Sequence, residues 1–139
     1  AAIGIGQLEK LDEIIRKRAE VAARYNQLLA GIDGVELPWP DDADHTRSWF
    51  VYVVKLDRGI DRERVITHLA AAGVATSRYL PSIHLQSYMR ERYGFKEGLC
   101  PISEDASTRT LALPFATALP ADDQAYVADA LRAAIHQAH

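Results

Sequence analysis

The chain has 139 residues, a formal net charge of −3 and 48% hydrophobic residues, which is the size and balance of one ordinary globular domain. The acidic balance leaves no basic footprint for nucleic acid, and no apolar run approaches the roughly 18 residues that a membrane-crossing helix needs. A single cysteine, Cys100, excludes an internal disulfide and fits a reducing cytoplasm.

The opening Ala1-Ala2-Ile3-Gly4-Ile5-Gly6 has no initiator Met, basic n-region or useful h-region. It reads as the interior of a longer protein, so part of any active site is expected to be encoded elsewhere. From Leu8 to Ile32, Leu11, Ile14, Ile15, Val21, Ala22, Tyr25, Leu28 and Leu29 recur at steps of three and four. That spacing predicts one helix with an apolar face, about 38 Å long. Such a helix is expected to reach beyond its own domain, to another domain or a partner subunit, before Gly31 and Gly34 end it.

Val35-Glu36-Leu37 is a short strand candidate closed by Pro38 and Pro40. Ser48 to Leu56 is the strongest strand, dense in aromatic and β-branched residues, and its near-continuous apolarity predicts a central strand covered on both faces. Asp61 caps a helix that runs to about Ala72, with Val65, Ile66 and Leu69 inward and Gly73 stopping it. Val74-Ala75-Thr76 begins a further strand, Leu85 to Tyr93 a short helix, and Pro101 to Ser107 one helical turn. Thr110 to Leu113 is the last strand. Pro120 opens a final helix through Ile135, with Asp122 and Asp123 favourably placed in its first turn. The sum is an α+β domain: a long helix, then a small, mainly antiparallel sheet of three to four strands packed with helices.

Chemistry concentrates in Thr76 to Gln86. Arg78 brings a fixed planar cation suited to phosphate or carboxylate, Tyr79 a ring that can stack and donate, and His84 a group that donates, accepts or titrates. These residues fit one lip of a pocket for an anionic small molecule, or equally a surface loop with Tyr79 and Ile83 packed inward. His45, His68, His84, His136 and His139 show no metal-ligand spacing with Cys100 or with one another. Cys100, beside Leu99 and Pro101 without a nearby cation, reads as a small packed residue rather than a nucleophile. The Glu104, Asp105, Ser107 and Arg109 cluster reads as a capped turn with a local ion pair.

Four stretches carry a family resemblance: Ala1 to Asp12 (AAIGIGQLEKLD), His45 to Val54 (HTRSWFVYVV), Tyr79 to Gln86 (YLPSIHLQ) and Ser107 to Pro114 (STRTLALP). In this order and spacing the chain resembles the C-terminal part of the nucleotide-sugar aminotransferases that depend on pyridoxal phosphate (PLP), fold-type I enzymes of the StrS/DegT kind. The resemblance implies a cytoplasmic homodimer with active sites at the subunit interface, acting on a nucleotide sugar with Glu or Gln as amino donor. It implies that residues 1–139 are the small domain. The PLP lysine, the ring-stacking aromatic and the acid at the ring nitrogen would lie in a large domain before Ala1. None of Lys10, Lys17, Lys55 and Lys96 has the desolvated setting a Schiff-base lysine needs, so no catalytic residue, cofactor-binding residue or metal ligand is assigned to this chain. Many relatives carry a His-Tyr pair near the nucleotide diphosphate where this chain has Arg78-Tyr79, and His84 matches the histidine that closes the motif. Arg78, Tyr79 and His84 are therefore the substrate-binding candidates. A stand-alone ligand-binding or dimerisation module on the same fold is the alternative, since function lives in sites rather than in folds.

Overall fold

Helix and strand alternate along the chain, and the apolar faces decide where each element lies. The computed structural model describes residues 2–138; Ala1 and His139 lie outside them, and with His139 goes half of the His136/His139 pair considered above. The elements are α1 (Ala2–Leu8), α2 (Leu11–Leu29), β1 (Val35–Glu36), β2 (Tyr52–Leu56), α3 (Arg62–Ala71), β3 (Ser77–Arg78), a 3-10 turn (Ile83–Leu85), α4 (Ser87–Tyr93), α5 (Pro101–Arg109), β4 (Thr110–Leu113) and α6 (Ala121–Ala138). The α+β class and the antiparallel sheet are as expected.

The single long helix is not. Leu8 and Leu11 flank a turn at Lys10, where the Lys10 amide donates to the Gln7 carbonyl at 3.2 Å in place of a regular helical bond. Ile3, Ile5, Leu8 and Leu11 are all exposed, so the buried stripe begins well inside α2, at Val21, Ala22, Tyr25 and Leu29. The periodicity was continuous while the burial was not. α6 lies against α2 and α3 through Val127, Ala128, Leu131, Ala134 and Ile135. Gln124, fully buried, pins α6 to α2: its Nε2 donates to the Val21 carbonyl at 2.9 Å, and its Oε1 accepts from Arg24 Nη1 at 2.6 Å. Asp61 caps α3 as its position predicted, accepting from the amides of Glu63 and Arg64.

The sheet runs β1-β2-β4-β3, antiparallel throughout. Tyr52 pairs with Leu113 and Val54 with Leu111, and directly opposed residues share a face. Tyr52, Val54, Leu56, Leu111 and Leu113 belong to the same core cluster as α2, α3 and α6, so those helices cover one face. Val53 and Lys55, on the other face of β2, are only half-buried. The expectation of a strand covered on both faces is thus corrected. Its apolar run was continuous because Ser48 to Val51 precede the strand and follow other rules. The next strand also starts later than expected, at Ser77 rather than Val74.

Gly34 joins β1 to α2 at φ +82°, and a Cβ built on it would press against Ile60 Cδ1. The left-handed backbone favours glycine there, and a side chain would in addition push the end of Ile60 aside.

Candidate functional site

β3 is an edge strand, and its register sorts the candidate residues. Ser77 faces Ala112 and Arg78 faces Leu111. Ser77 therefore stands on the face that the helices leave uncovered, and Arg78 on the helix side. There Arg78 Nε donates to Glu63 Oε1 of α3 at 2.9 Å, and its Nη2 meets the other carboxylate oxygen. Glu63 also accepts from Arg62 Nε at 3.2 Å. Arg62 in turn donates to the Ser107 carbonyl at 2.5 Å, which ties α3 to the entry of β4. The Arg78 guanidinium, ahead of that of Arg62, holds the Glu63 carboxyl below the usual glutamate range.

Carried one residue further, the same register sets Tyr79 opposite Thr110, whose hydroxyl donates to the Tyr79 carbonyl. Tyr79 is half-buried and belongs to the Ser77 side. Pro81 then turns the chain, and His84 is buried at 8% exposure, with Nε2 at 2.8 Å from Glu104 Oε1. Glu104 also accepts from the Gly98 amide at 2.9 Å and the Cys100 amide at 3.0 Å. Those two amides, and after them His84, hold the Glu104 carboxyl below the usual range. One carboxylate thus gathers the His84 loop, the Gly98 turn and the start of α5. The loop is further held by Ser82, whose Oγ donates to Ser107 Oγ at 3.2 Å.

The three candidates are therefore not brought to one point. Arg78 turns to α3, Tyr79 to the uncovered sheet face, and His84 inward to α5. Cys100 is exposed, which corrects the packed reading. Its neighbour Pro101 starts α5 and leaves the side chain of the preceding residue outside the core. Asp105 and Arg109 form the expected local ion pair, joined by Arg58 at 3.1 Å. His45 is solvent-exposed with Nδ1 at 2.8 Å from Asp42 Oδ1. Among the described residues, no three His, Cys, Asp or Glu side chains converge to hold a metal ion.

On the uncovered face a cavity of about 340 Å³ opens between β4 and the approach to β2, lined by Phe50, Val51, Thr76, Ser77, Ala112 and Phe115 among others. Trp49 prepares its rim. This residue has φ 48°, a left-handed conformation that costs a bulky L-residue on the order of 1–2 kcal/mol. Burial of the indole opposes that cost: its ring stacks on Tyr52 at 5.9 Å, and the Arg47 guanidinium lies 5.4 Å from its centroid. With Trp49 turned in, Phe50 is left 76% exposed at the cavity mouth. Behind it, Phe115 stacks on Tyr52 at 6.2 Å, and Tyr52 packs against Tyr25 in a tilted pair at 4.9 Å. Reading Ser48 to Leu56 as one strand hid this rim. The available signal was that adjacent Trp49 and Phe50 cannot both face one core in a strand of period two.

The four lysines are open to water or paired. Lys17 meets Glu13 at 2.6 Å, Lys55 pairs with Glu36, and Lys10 and Lys96 are exposed.

The model of the DegT/DnrJ/EryC1/StrS aminotransferase family matches residues 1–132. The spore coat polysaccharide biosynthesis protein SpsC of Bacillus subtilis (strain 168) is 32% identical over 136 residues, which is 95% of this chain and 35% of that protein. The crystal structure of the aminotransferase TlmJ from Streptoalloteichus hindustanus is 36% identical and superposes with a TM-score of 0.84, over 97% of this chain and 35% of its own. DesI, solved in the presence of its TDP-sugar product, is 32% identical with a TM-score of 0.80, over 95% of this chain and 34% of its own. The chain thus spans about a third of the length of the relatives it matches.

Proposed function

The chain belongs to the DegT/DnrJ/EryC1/StrS aminotransferase family, a PLP-dependent family, and we propose that it is the C-terminal small domain of an enzyme that passes an amino group from Glu or Gln to a keto-sugar nucleotide. The observation that carries the reading is the family match along nearly the whole chain, at about a third of the relatives' length. In this reading the domain works in the cytoplasm, within a homodimer, for amino-sugar biosynthesis.

PLP supplies the carrier for the amino group when bound. The residues of this chain do not fit its attachment, because every lysine here is exposed or paired with a carboxylate. A lysine that forms a Schiff base needs a desolvated pocket or a neighbouring cation. We assign the attachment to residues outside these 139. The domain's part is to bind and orient the substrate and to keep water from it.

Within that part, Tyr79 stands on the uncovered face, where it can meet the substrate. Arg78 reaches an anion around the sheet edge by exchanging the Glu63 carboxylate for a phosphate, a swap of like ligands on one planar fork. His84 acts through Glu104 on the shape of the loop. DesI was solved with its TDP-sugar product, which supports a thymidine nucleotide as the carrier here. The test is borohydride reduction of the full-length enzyme followed by peptide mapping. A pyridoxyl-lysine outside these 139 residues is expected; one at Lys10, Lys17, Lys55 or Lys96 would refute the assignment.

A further inference from the structure

We propose that Glu104, Ser107 and Thr110 are positioning residues, one polar side of α5 that holds the Tyr79-to-His84 loop where Tyr79 meets the substrate. The assignment rests on the nucleotide-sugar reading above and adds the groups that keep its contact in place. The first observation is a register. Ser103, Glu104, Ser107 and Thr110 follow one another at steps of three and four, so they share one side of α5 and its C-cap. Each of them meets the loop. The Thr110 hydroxyl, 2.9 Å from the Ala106 carbonyl, also donates to the Tyr79 carbonyl. Ser82 Oγ donates to Ser107 Oγ at 3.2 Å and lies 3.3 Å from Ser103 Oγ. His84 Nε2 lies 2.8 Å from Glu104 Oε1. As the loop runs from Tyr79 to His84, its partners run back from Thr110 to Glu104. The antiparallel pairing of β3 with β4 is thus continued onto α5 by side chains.

The second observation is the inverted polarity of the loop. Ser82 and His84 are buried, at 6% and 8% exposure, while Leu80 and Ile83 are 62% and 72% exposed. Loops fixed by packing turn their apolar side chains inward. This one does the reverse, so its order rests on the bonds to α5 rather than on apolar burial. Hydrogen bonds are directional, and a row of them fixes where a loop stands more narrowly than apolar contact does.

The third observation is what holds α5. This helix buries no residue either. Arg62 of α3 donates to the Ser107 carbonyl at 2.5 Å, and Arg109, paired with Asp105, donates to the Leu56 carbonyl of β2 at 2.8 Å. The places of α3 and β2 are therefore passed through α5 to the backbone of Tyr79. A small misplacement of a substrate contact is costly, and this chain of polar bonds prevents it.

The experiment uses the full-length enzyme loaded with PLP. Calorimetric titration with thymidine diphosphate and with uridine diphosphate reads the nucleotide side. The single-turnover reaction with L-glutamate or L-glutamine, followed by absorbance, reads the donor side without any sugar nucleotide. Thr110→Val, equal in volume, is expected to weaken the diphosphate that binds by roughly fivefold, the loss of one hydrogen bond, and to speed hydrogen exchange in the peptide from Tyr79 to Gln86. Thr110→Ser, which keeps the hydroxyl, is expected to restore both. Glu104→Gln is expected to act in the same direction and serves if Thr110→Val does not fold. The donor reaction should change far less than the diphosphate affinity, whereas a general loss of structure would lower the two together. Faster exchange with unchanged diphosphate affinity would overturn the positioning role and leave the nucleotide-sugar reading standing. A wild-type enzyme that binds neither diphosphate would overturn both.

Discussion

Replacing Tyr25 by Phe removes one oxygen from a ring that is fully buried. Its hydroxyl donates to the Pro114 carbonyl at 2.9 Å, from α2 across to the chain that leaves β4. The ring itself stays packed against Tyr52, so packing is nearly unchanged and the lost hydrogen bond dominates. The Pro114 carbonyl is half-buried and fixed in the backbone, so the loss of its donor costs about 1–2 kcal/mol. Tyr52→Phe provides the contrast. Its hydroxyl donates to Asn26 Oδ1 at 2.6 Å, but the Asn26 amide can rotate to water, which a backbone carbonyl cannot, so about 0.5–1 kcal/mol is expected. For a chain of this size each kcal/mol moves Tm by roughly 3–5 °C. Tyr25→Phe should lower Tm by about 3–10 °C and Tyr52→Phe by roughly half that. Calorimetry on the two variants checks the order, and an equal or reversed order would show that packing, not the carbonyl, sets the cost. The same pair has an alkaline signature. Burial pushes both phenols well above the ordinary tyrosine range, helped at Tyr25 by Asp123 and at Tyr52 by Tyr25. Below about pH 10 both folded and unfolded chains keep these protons, and neither tyrosine adds pH dependence. Above it the unfolded chain releases them first, so stability falls as pH rises. Each Phe variant should flatten that fall.

Glu104→Gln should change the acid limb instead. The Glu104 carboxyl is held low by the Gly98 and Cys100 amides and then by His84, so its contribution is present above the unfolded glutamate value, near 4.3, and is lost as pH falls through the lower folded value. The variant should unfold with a shallower slope below about pH 4 in an acid titration followed by circular dichroism, and an unchanged slope would place the acid sensitivity elsewhere. Gly34→Ala should cost at least about 1–2 kcal/mol in urea unfolding, because φ +82° is strained for alanine and the new methyl meets Ile60. A neutral result would mean the Ile60 side chain yields and the turn re-forms. Arg78→Ala in the full-length enzyme should raise KM more than it lowers kcat, the pattern of a lost ground-state contact. An unchanged KM would remove Arg78 from the substrate contacts.

How far the sequence could be read depends on the length of each pattern. Thr110 to Leu113 came out at its observed bounds, because it is short, apolar and closed by Pro114. α3 was marked at both ends, by the Asp61 cap and by Gly73. α2 was misjudged at its start, because a three-four spacing continues through Leu8 and Leu11 whether or not a core exists for them to face. The 3-10 turn at Ile83–Leu85 has no hydrophobic period to announce it. At the candidate site, the sequence singled out Arg78, Tyr79 and His84 but could not orient them. Glu63 and Glu104 lie 15 and 20 positions from the residues they hold, and no local pattern encodes a partner at that distance.

Orientation is what the sheet adds. In a strand of period two, Ser77 and Arg78 must part company, and the pairing with Ala112 and Leu111 decides which goes where. The residue with the most conspicuous charge therefore lands on the helix side, already paired with Glu63, while Ser77 and Tyr79 take the uncovered face. On that face the cavity wall is uncharged, phenyl rings and hydroxyls, while Lys55 lies further along β2 paired with Glu36. If Arg78 can exchange the Glu63 carboxylate for a phosphate, Glu63→Gln, by weakening the resident partner, should tighten pyrophosphate binding at Arg78 in a titration. Loosened pyrophosphate binding would mean that Glu63 aims the guanidinium rather than competing for it.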